Sequence, residues 1–596
     1  MLHGIQLPLL AGPQGDHRLA ESHVQIEEIA IVQTPRERIV LSFSEDFTAN
    51  ASLFIDGKIV ASAAEERFNR KKCSAGFPEL AIKYCLSEAG IDFEDVDAVV
   101  AANKYHFVYR LFPKQFKDYN HDFLNLKQKV YMHYHQLVRK CWPLRSFVEW
   151  LCKSLVQRHL GRKIVLCDHH LTHAYSAFMT SGFPESLGVT IDNIGDGLSG
   201  GLFYCKDGKV RLMYGMPALA SAGQFYGEIT QFLGFNPLKH AGKVTGLAAR
   251  GDPYKAYPLM MRFFSLSRDQ KRFVLPPLLT KSFKRGLYKE LAKFSPEDIA
   301  AAAQRRLEDV VVDFVQHGLE QTGLRRLVLA GGVAGNVRLN QKLHELEQVD
   351  EIFVHPGMSD AGLSLGAGLM FLAERTGLEP FKLDTVYFGP EFDDAAVESE
   401  LRKFSGLKVK KDPNIEETIA TLLTQGKVVA RFAGRMEYGP RALGNRTILY
   451  QATDPSVNDW LNEKLKRTEF MPFAPVTLAD KAHECYLGLE GAEYTAKFMT
   501  IAFDCTPKMK RECPGVVHVD GTARPQLIHE SDNPSYYRIL RRYYEMTGLS
   551  SVINTSFNMH EEPIVCTPYD ALRAFKLGHL DYLAINNFLV KNDSAS

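Results

Sequence analysis

Residues 187–213, LGVTIDNIGDGLSGGLFYCKDGKVRLM, carry the pattern that decides the fold. We read an apolar strand (187–191), an acidic, glycine-rich loop (192–197), a second strand (201–205), an Asp-Gly turn and a third strand (209–213). An Asp-Gly pair between two apolar runs is the strongest short signal for a β-hairpin. The stretch therefore predicts strand, loop, strand, tight turn and strand.

The same order of elements occurs near the start of the chain. A strand at 38–43 precedes a hairpin whose strands, 51–55 and 58–61, flank the pair Asp56-Gly57. Recurrence of one pattern indicates a duplicated unit. We therefore predict two related lobes with a cleft between them, and the alternative is two unrelated hairpins.

A pair of histidines lies between the two copies. The stretch 168–177, DHHLTHAYSA, places His169 and His173 four residues apart. Side chains at this spacing lie on one face of a helix, so the two imidazoles can converge on one metal ion. Asp192 and Asp360 are candidate carboxylate partners. Such a donor set suits Fe(II), Mn(II) or Zn(II), and the sequence does not choose among them.

Each of these residues also has a simpler interpretation. A lone histidine is more often structural than a ligand. Asp192 follows a predicted strand, where aspartate is a common turn residue. Asp360 precedes a predicted helix at 361–368, where aspartate commonly caps the helix. Capping and metal binding are compatible, because a carboxylate has two oxygens.

A glycine-rich turn follows the predicted buried strand at 327–330. Its sequence, GGVAGN (331–336), leads into a helix that runs through Leu343. Backbone amides at such a turn can bind phosphate. The glycine spacing matches neither a Walker nor a dinucleotide-binding motif, so the turn is weak evidence alone.

Composition narrows the function classes. The 596 residues carry a net charge of +1, which favours neither nucleic acid nor a lipid surface. The ten cysteines include no CxxC pair, as expected in a reducing compartment. No apolar run is long enough to cross a membrane, and residues 5–10 are too short for a signal peptide. We expect a cytoplasmic protein, and we interpret the basic, aromatic segment 105–162 as amphipathic helices rather than a nucleic-acid site.

Motifs change character near residues 383–390. We predict an extension (1–37), a first domain (38–385) and a second domain (386–596). The second domain contains Arg441 and Arg446 in a glycine-framed loop, followed by further polar and basic residues: Lys464, Lys466, Arg467, Arg524, Asn554, Ser556 and Asn558. Guanidinium groups bind phosphate or carboxylate oxygens in pairs, so we predict an anion site here.

In combination, these motifs resemble the NodU/CmcH-type O-carbamoyltransferases from about residue 39 to residue 587. The motifs that carry the resemblance are EERF (65–68), 169–177, GKVTGLA (242–248), 331–336, 359–368, 439–441 and 554–558. The resemblance implies an α/β protein with two fold units. The first is an ASKHA (actin-like ATPase) domain of two RNase H-like lobes, and the second is an α/β YrdC-like adenylation domain.

The resemblance also implies a two-step activity. The second domain would convert carbamoyl phosphate and ATP, with magnesium, into carbamoyl-adenylate. The first domain would then transfer the carbamoyl group to a hydroxyl of a small secondary metabolite, such as an antibiotic or a saxitoxin-type guanidinium alkaloid. Neither nucleic acid nor a membrane is an expected partner, and a homodimer is the default for a soluble enzyme.

Site residues follow from the same resemblance. Iron(II) would be bound by His169, His173, Asp192 and Asp360. Carbamoyl phosphate and ATP would meet Arg441, Lys466, Arg524 and Ser556 as catalytic residues, with Arg446 and Asn554 as binding neighbours. Carbamoyl-adenylate in the first domain would meet Lys243, Gly331, Gly332 and Asn336.

This chain departs from the family pattern in two places. Many members have His-Asp-x-Ser where this chain has Phe47-Thr48-Ala49-Asn50. The general base is therefore open, with Asp46 and Glu45 as possible substitutes. The choice between Lys464 and Lys466 is also open. Carboxylates at Asp46 and Asp196 would suit a cationic acceptor.

Two other functions remain to be weighed. One is a tRNA threonylcarbamoylation enzyme, which the near-neutral charge disfavours. The other is a catalytically silent actin-like regulator, which the histidine, aspartate and arginine motifs disfavour.

Overall fold

Two tight hairpins start the two halves of the first predicted domain. The turn residues Asp56 and Gly57 have φ of 50° and 78°, and Asp207 and Gly208 have φ of 50° and 71°. Left-handed backbone at both central positions defines a type I′ turn, for which Asp-Gly is a preferred pair. Both predicted hairpins are confirmed.

The structure, a computed structural model, describes residues 38–105, 134, 137–276, 281–466 and 470–592. The predicted extension 1–37, the basic stretch 106–133 and Arg467 lie outside these residues. Of the basic segment, the helix Trp142–Leu160 is described.

The strands up to residue 354 are β1 (Ile39–Ser44), β2 (Asn50–Ile55), β3 (Lys58–Ala64), β4 (Ala98–Ala102), β5 (Ile164–Cys167), β6 (Glu185–Gly195), β7 (Leu198–Lys206), β8 (Lys209–Pro217), β9 (Ser265–Leu266), β10 (Phe273–Val274), β11 (Arg326–Ala330) and β12 (Glu351–Val354). The helices of this part are α1 (Glu66–Asn69), α2 (Glu79–Ala89), α3 (Trp142–Leu160), α4 (His169–Met179), α5 (Ala222–Phe232), α6 (Ala241–Ala248), α7 (Pro253–Met261), α8 (Lys281–Leu291), α9 (Pro296–Thr322), α10 (Val337–His344) and α11 (Leu363–Thr376).

The later strands are β13 (Leu407–Lys411), β14 (Val429–Phe432), β15 (Arg446–Gln451), β16 (Ala474–Leu478), β17 (Phe503–Asp504), β18 (Thr522–Ala523), β19 (Gln526–Ile528), β20 (Ser551–Ser556), β21 (Tyr582–Ile585) and β22 (Phe588–Asn592). The later helices are α12 (Asp394–Leu401), α13 (Ile415–Thr424), α14 (Val457–Lys464), α15 (Ala482–Cys485), α16 (Glu493–Ala496), α17 (Pro507–Glu512), α18 (Pro534–Thr547) and α19 (Pro568–Leu577). Short 3₁₀ turns lie at 93–95, 332–335, 360–362, 479–481 and 514–516.

Two five-stranded sheets share one strand order. The first is β3-β2-β1-β4-β5 and the second is β8-β7-β6-β11-β12. In each, the three hairpin strands are antiparallel and the last two strands add in parallel. This is the RNase H-like order, and its duplication is the ASKHA arrangement. The repeat predicted from the two hairpins is therefore a repeat of whole lobes.

The carboxy-terminal residues form a third, mixed α/β layer. Its eight-stranded sheet has the order β13-β22-β21-β14-β15-β20-β16-β19. Helix α16 of this layer packs directly onto the second lobe. Tyr494 of α16 stacks on Phe353 of β12 at 4.9 Å between ring centroids, and the Val354 N–H donates to Thr495 Oγ1. Residues from Arg38 onward form one compact unit, and the boundary near residue 385 stays a prediction.

Among the described helices, none combines the length and the apolar character needed to cross a membrane.

Candidate active site

Helix α4 presents both predicted histidines to one point. The Asp168 side chain caps the helix by accepting from the N–H groups of His170 and Leu171. The one-turn spacing then brings the rings of His169 and His173 to 4.8 Å between centroids. Both histidine side chains are fully buried. The backbone of Gly195 contacts the His169 ring so closely that a Cβ on Gly195 would lie 2.1 Å from it.

Asp192 and Asp360 complete the cluster. Asp192 Oδ2 lies 3.3 Å from His169 Nε2 and 3.2 Å from His173 Nε2. Asp360 Oδ1 lies 3.8 Å and 3.5 Å from the same two nitrogens. The four donor atoms lie within 4.8 Å of one another. Two imidazole nitrogens and two carboxylate oxygens converging in a buried place fit a divalent iron, manganese or zinc ion.

Neighbouring groups orient this donor set. His169 Nδ1 donates to Asn103 Oδ1 at 2.6 Å, which leaves the Nε2 lone pair of His169 toward the cluster. Burial raises the pKa of Asp192, but its hydrogen bonds with His169 and His173 outweigh burial and hold that pKa well below its usual value. Burial, with the charge of Asp192, raises the pKa of Asp360 well above its usual value. The cluster is thus a place where protons and a cation compete for the same atoms.

The positions of both aspartates differ from their predicted contexts. Asp192 lies inside β6, which continues to Gly195 through a bulge between Ile191 and Gly195, and not in a loop. A bulge re-aims a side chain, which explains why Asp192 turns toward α4. Asp360 begins a 3₁₀ turn whose cap is Ser359, so Asp360 is not itself the cap.

One cleft of about 1200 Å³ connects the cluster with the second predicted site. Asp192, Asp360, Arg441 and Ser556 all line it. Ser556 Oγ donates to Asn558 Oδ1 at 2.6 Å, which fixes the hydroxyl in the cleft wall. The structure therefore brings the predicted metal ligands and two predicted anion contacts into one continuous space.

Arg524 lies in a small cavity next to this cleft. That cavity, of about 20 Å³, is lined by Arg524, Arg338 and Thr245. Thr245 lines the large cleft as well, so the two spaces adjoin at this residue. Arg524 is thus beside the cleft and not in its wall.

Two predicted binding residues are instead structural supports. Arg446 is fully buried, and its guanidinium donates to the carbonyls of Ala433, Asn445, Pro390 and Gly434. Asn554 is buried within β20, where its amide donates to Ala442 O and Gln526 Oε1. The terminal guanidinium nitrogens of Arg446 and the amide nitrogen of Asn554 are bonded within the protein, and neither residue lines the cleft, so their predicted ligand contacts stay predictions.

Lys466 is exposed and is not among the residues that line the cleft. Helix α14 ends at Lys464, and Lys466 lies beyond it with a left-handed φ of 55°. The catalytic contact predicted for Lys466 stays a prediction.

The predicted adenylate contacts surround the glycine-rich turn. Gly331 has a φ of 94°, and a Cβ there would lie 2.3 Å from Ile191 O, so only glycine fits. Gly332 and Asn336 line the cleft. Asn336 Oδ1 accepts from Leu339 N–H at the start of α10, and Asn336 Nδ2 donates to Gln304 Oε1. Lys243 is buried in α6, 5.9 Å from the centre of the Phe235 ring.

The two carboxylates predicted to suit a cationic acceptor, Asp46 and Asp196, have different surroundings in the structure. Asp46 lines the cleft, and its Oδ2 lies 3.7 Å from His169 Nδ1. Asp196 is buried and accepts from the N–H groups of Lys104, Tyr105 and His169. Its carboxylate therefore supports the backbone around α4, and the prediction that Asp196 faces an acceptor is wrong.

Sequence reasoning missed a set of cations in the cleft wall. Arg67 belongs to the EERF motif, the next three cations follow it, and the last precedes α6. They are Arg67, Arg70, Lys71, Lys72 and Lys239. The signal was available, because the basic run at 70–72 directly follows a motif that carries the resemblance.

The loop with Arg441 and the loop with Asp360 pack against each other. Tyr438 Oη and His355 Nε2 lie 3.0 Å apart in a hydrogen bond. A Cβ on Gly357 would lie 2.5 Å from Tyr438 Oη, and a Cβ on Gly439 would lie 2.7 Å from Pro356 O. Glycines at these positions allow the two loops to touch.

Comparison with known proteins gives two matching family models. One, described as carbamoyltransferase N-terminus, matches residues 46–369, and the other, carbamoyltransferase C-terminus, matches residues 420–592.

Relatives match over most of the chain. The nodulation protein NolNO of Sinorhizobium fredii is 33% identical, covering 92% of this chain and 79% of that protein. An uncharacterized protein of Methanocaldococcus jannaschii is 31% identical, covering 93% of this chain and 99% of that protein. Among solved structures, HypF of T. kodakarensis aligns with 57% of this chain and 48% of its own, at 12% identity and a TM-score of 0.34. A TM-score this low supports no conclusion.

Proposed function

This chain belongs to the carbamoyltransferase family and is a carbamoyltransferase enzyme, and on that premise we propose that it is an ATP-dependent O-carbamoyltransferase with two chemical steps. In the first step, water releases phosphate from carbamoyl phosphate, the carbamate oxygen attacks the α-phosphorus of ATP, and pyrophosphate leaves. In the second, an acceptor hydroxyl attacks the carbamoyl carbon of carbamoyl-adenylate, AMP leaves and the hydroxyl proton is lost.

One observation carries this proposal. A single cleft is lined by Asp192 and Asp360 of the cluster and also by Arg441 and Ser556. An activated intermediate made beside Arg441 can therefore reach the histidine–aspartate cluster without leaving the protein. Enclosure of this kind limits hydrolysis of a labile intermediate.

The first step needs cations, because ATP and carbamoyl phosphate repel each other. Arg441 supplies a guanidinium in the cleft wall, and Ser556 supplies a hydroxyl beside it. Arg524 and Arg338 add positive charge in the adjoining cavity. Fixed charges of this kind stabilise the charge that develops on phosphoryl oxygens. Magnesium bound to ATP and Lys466 complete the set that we propose for this step.

The second step belongs to the histidine–aspartate cluster. His169, His173, Asp192 and Asp360 would hold a divalent metal, which we propose to be iron(II), with manganese or zinc also fitting the donors. When bound, such an ion supplies Lewis-acid polarisation of the carbamoyl carbonyl. Asn103 keeps the His169 ring in the orientation that this binding requires.

Residues of the second lobe would hold the intermediate between the two steps. Gly332, which has no side chain, lines the cleft, whereas Gly331 packs against the backbone of Ile191 and shapes the turn. Asn336 lies in the same wall, fixed by its bonds to Leu339 and Gln304. We propose that these groups bind the adenylate, and that the acceptor is a small secondary metabolite with a free hydroxyl.

Pyrophosphate release tests the first step. With ATP, magnesium and carbamoyl phosphate, the wild-type chain should release pyrophosphate only when carbamoyl phosphate is present. Arg441→Ala should lower the rate at least about tenfold, because a charge-assisted contact to phosphate is lost. Arg402→Ala is a matched control, since the Arg402 side chain is 76% exposed and forms an ion pair with Glu398, one helical turn away. Release that does not depend on carbamoyl phosphate, or equal rates in the two variants, would contradict the proposal.

A further inference from the structure

A row of buried serines crosses the first sheet. Ser42 of β1 is the cross-strand partner of Ser52 of β2, and Ser52 is the partner of Ser62 of β3. Their side chains are 0–1% exposed, and Ser52 Oγ lies 2.8 Å from Ser62 Oγ. On its face of the sheet the row lies between the apolar pair Val40 and Phe54 and the polar pair Ser44 and Asn50, all of them buried.

This row holds the first turn of α11. Ser42 Oγ donates to the carbonyl of Ser364 at 2.6 Å, and Ser52 Oγ lies 2.7 Å from Ser364 Oγ. Ser364 is fully buried and lies four residues after Asp360. The start of α11 is therefore tied to the first sheet by hydroxyl groups of two strands.

Asn50 completes the connection with three bonds to backbone. Its Nδ2 donates to Asp360 O at 2.7 Å and to Thr48 O at 2.6 Å. Its Oδ1 accepts from Ser364 N–H at 2.9 Å. Asn50 is 1% exposed, and its amide bonds Asp360 and Ser364, the two ends of the segment 360–364. A shorter or apolar side chain cannot make these three bonds together.

The side-chain amide of Asn50 also bonds Thr48, a residue of the cleft wall. Thr48 lines the cleft and has a φ of 70°, a conformation that β-branched residues rarely adopt. Strained backbone of this kind persists where the surroundings hold it, and it clusters at functional sites. The bond from Asn50 Nδ2 to Thr48 O is one such restraint.

Within the described part of the chain, the side-chain hydrogen bonds of Asn50 and the serine row reach one residue of the cluster, Asp360. Helix α4 carries His169 and His173, and β6 carries Asp192. Asp360 lies on a separate turn, so its distance from the histidines depends on how α11 is placed. Fully satisfied buried polar networks fix a unique arrangement, which an apolar layer does less well.

We infer that Asn50, supported by Ser42, Ser52 and Ser364, is a positioning residue that sets Asp360 against His169 and His173 for metal binding. The inference rests on the metal site of the proposed function. It also assigns a role to the stretch 47–50, where this chain departs from its family's pattern.

Metal titration of the full chain tests the inference. Binding of Mn(II) to the metal-free protein is measured by isothermal titration calorimetry for wild type, Asn50→Ala and Ser62→Ala. We expect Asn50→Ala to weaken binding about 10- to 100-fold, as for other residues that orient metal ligands. Ser62→Ala is the matched control, because Ser62 is a buried member of the same row whose hydroxyl bonds to Ser52 Oγ, so its link to Ser364 is indirect.

Three outcomes would overturn the inference: no Mn(II) binding by wild type, unchanged binding by Asn50→Ala, or equal weakening by Ser62→Ala. If Asn50→Ala does not fold, Asn50→Val carries the same expectation, since valine suits a strand but makes none of the three bonds. Failure of the proposed function is separable. A chain that releases no pyrophosphate, yet binds Mn(II) and loses that binding in the Asn50 variant, supports the positioning role and contradicts the proposed activity.

Discussion

Arg446 begins strand β15 with its guanidinium enclosed by protein. Four backbone carbonyls accept its N–H groups, and its Cζ lies 3.7 Å from the centre of the Phe432 ring. Arg441 is in the same loop but lines the cleft. The two arginines therefore differ in their surroundings, because Arg446 is enclosed by backbone carbonyls and Arg441 faces the cleft, although their sequence contexts are alike.

Replacing Arg446 should damage stability and not substrate binding. Arg446→Met removes the donors of four carbonyls, and an unpaired buried acceptor costs about 1–3 kcal/mol. We expect a thermal unfolding temperature at least several degrees lower, with an unchanged KM for carbamoyl phosphate in the protein that remains folded. Differential scanning fluorimetry and pyrophosphate-release kinetics measure the two effects. A raised KM with unchanged unfolding would instead place Arg446 in the binding site.

The sequence indicated which side chains could bind an anion, but not which of them face the cleft. Asn554 and Ser556 lie two apart in β20, where alternate residues share one face of a sheet. Asn554 is nevertheless covered by Thr447 and Gln526, whereas Ser556 reaches the cleft. Which of two neighbours is covered depends on strands far away in the chain, and no local pattern contains that information.

Helices α4 and α11 touch at a glycine. A Cβ on Gly366 would lie 2.1 Å from Thr172 O, which is backbone of α4 and cannot give way. Thr172 directly precedes His173, so this contact sets the separation between the helix with the histidines and the helix that follows Asp360.

Gly366→Ala should therefore destabilise the protein. Overpacking of a filled core costs about 1–3 kcal/mol, which outweighs the gain in helix propensity. Gly286→Ala is the control, because Gly286 is exposed in α8 with nothing within 4 Å of its Cβ position. Thermal unfolding should show a lower midpoint for Gly366→Ala and an equal or higher one for Gly286→Ala. Equal shifts in both variants would contradict the tight packing of α4 on α11.

Local sequence signals predicted which helices and hairpins form better than they predicted where a strand ends. The hairpins around Asp56-Gly57 and Asp207-Gly208 and the helix at His169 were confirmed, since turn chemistry and helical spacing are local properties. The extension of β6 through Asp192 was missed. Glycine and aspartate there suggest a loop, but pairing with β7 forms a bulged strand instead. Tertiary pairing overrides such propensities.

The arrangement of the chain as a whole was predictable where it repeats. Two copies of strand, hairpin and turn predicted two lobes, and the two sheets have one strand order. The eight-stranded sheet was not predicted, because its pairings join distant segments, such as Leu407 with Asn592. The bond between Asn50 and Asp360 spans 310 residues, so it too leaves no local signal.

The central claim is that one chain activates the carbamoyl group at the arginine side of its cleft and transfers it at the histidine–aspartate side. Carbamoyl-phosphate-dependent pyrophosphate release by His173→Ala tests it most directly, with Mn(II) titration of the same samples as the control for metal loss. We predict that this variant loses Mn(II) binding and retains a release rate within about twofold of wild type, since His173 contacts the cluster residues Asp192 and Asp360, whereas the proposed activation step uses Arg441 and Ser556. Pyrophosphate release that disappears together with metal binding, in a variant that still unfolds cooperatively, would contradict the separation of the two steps.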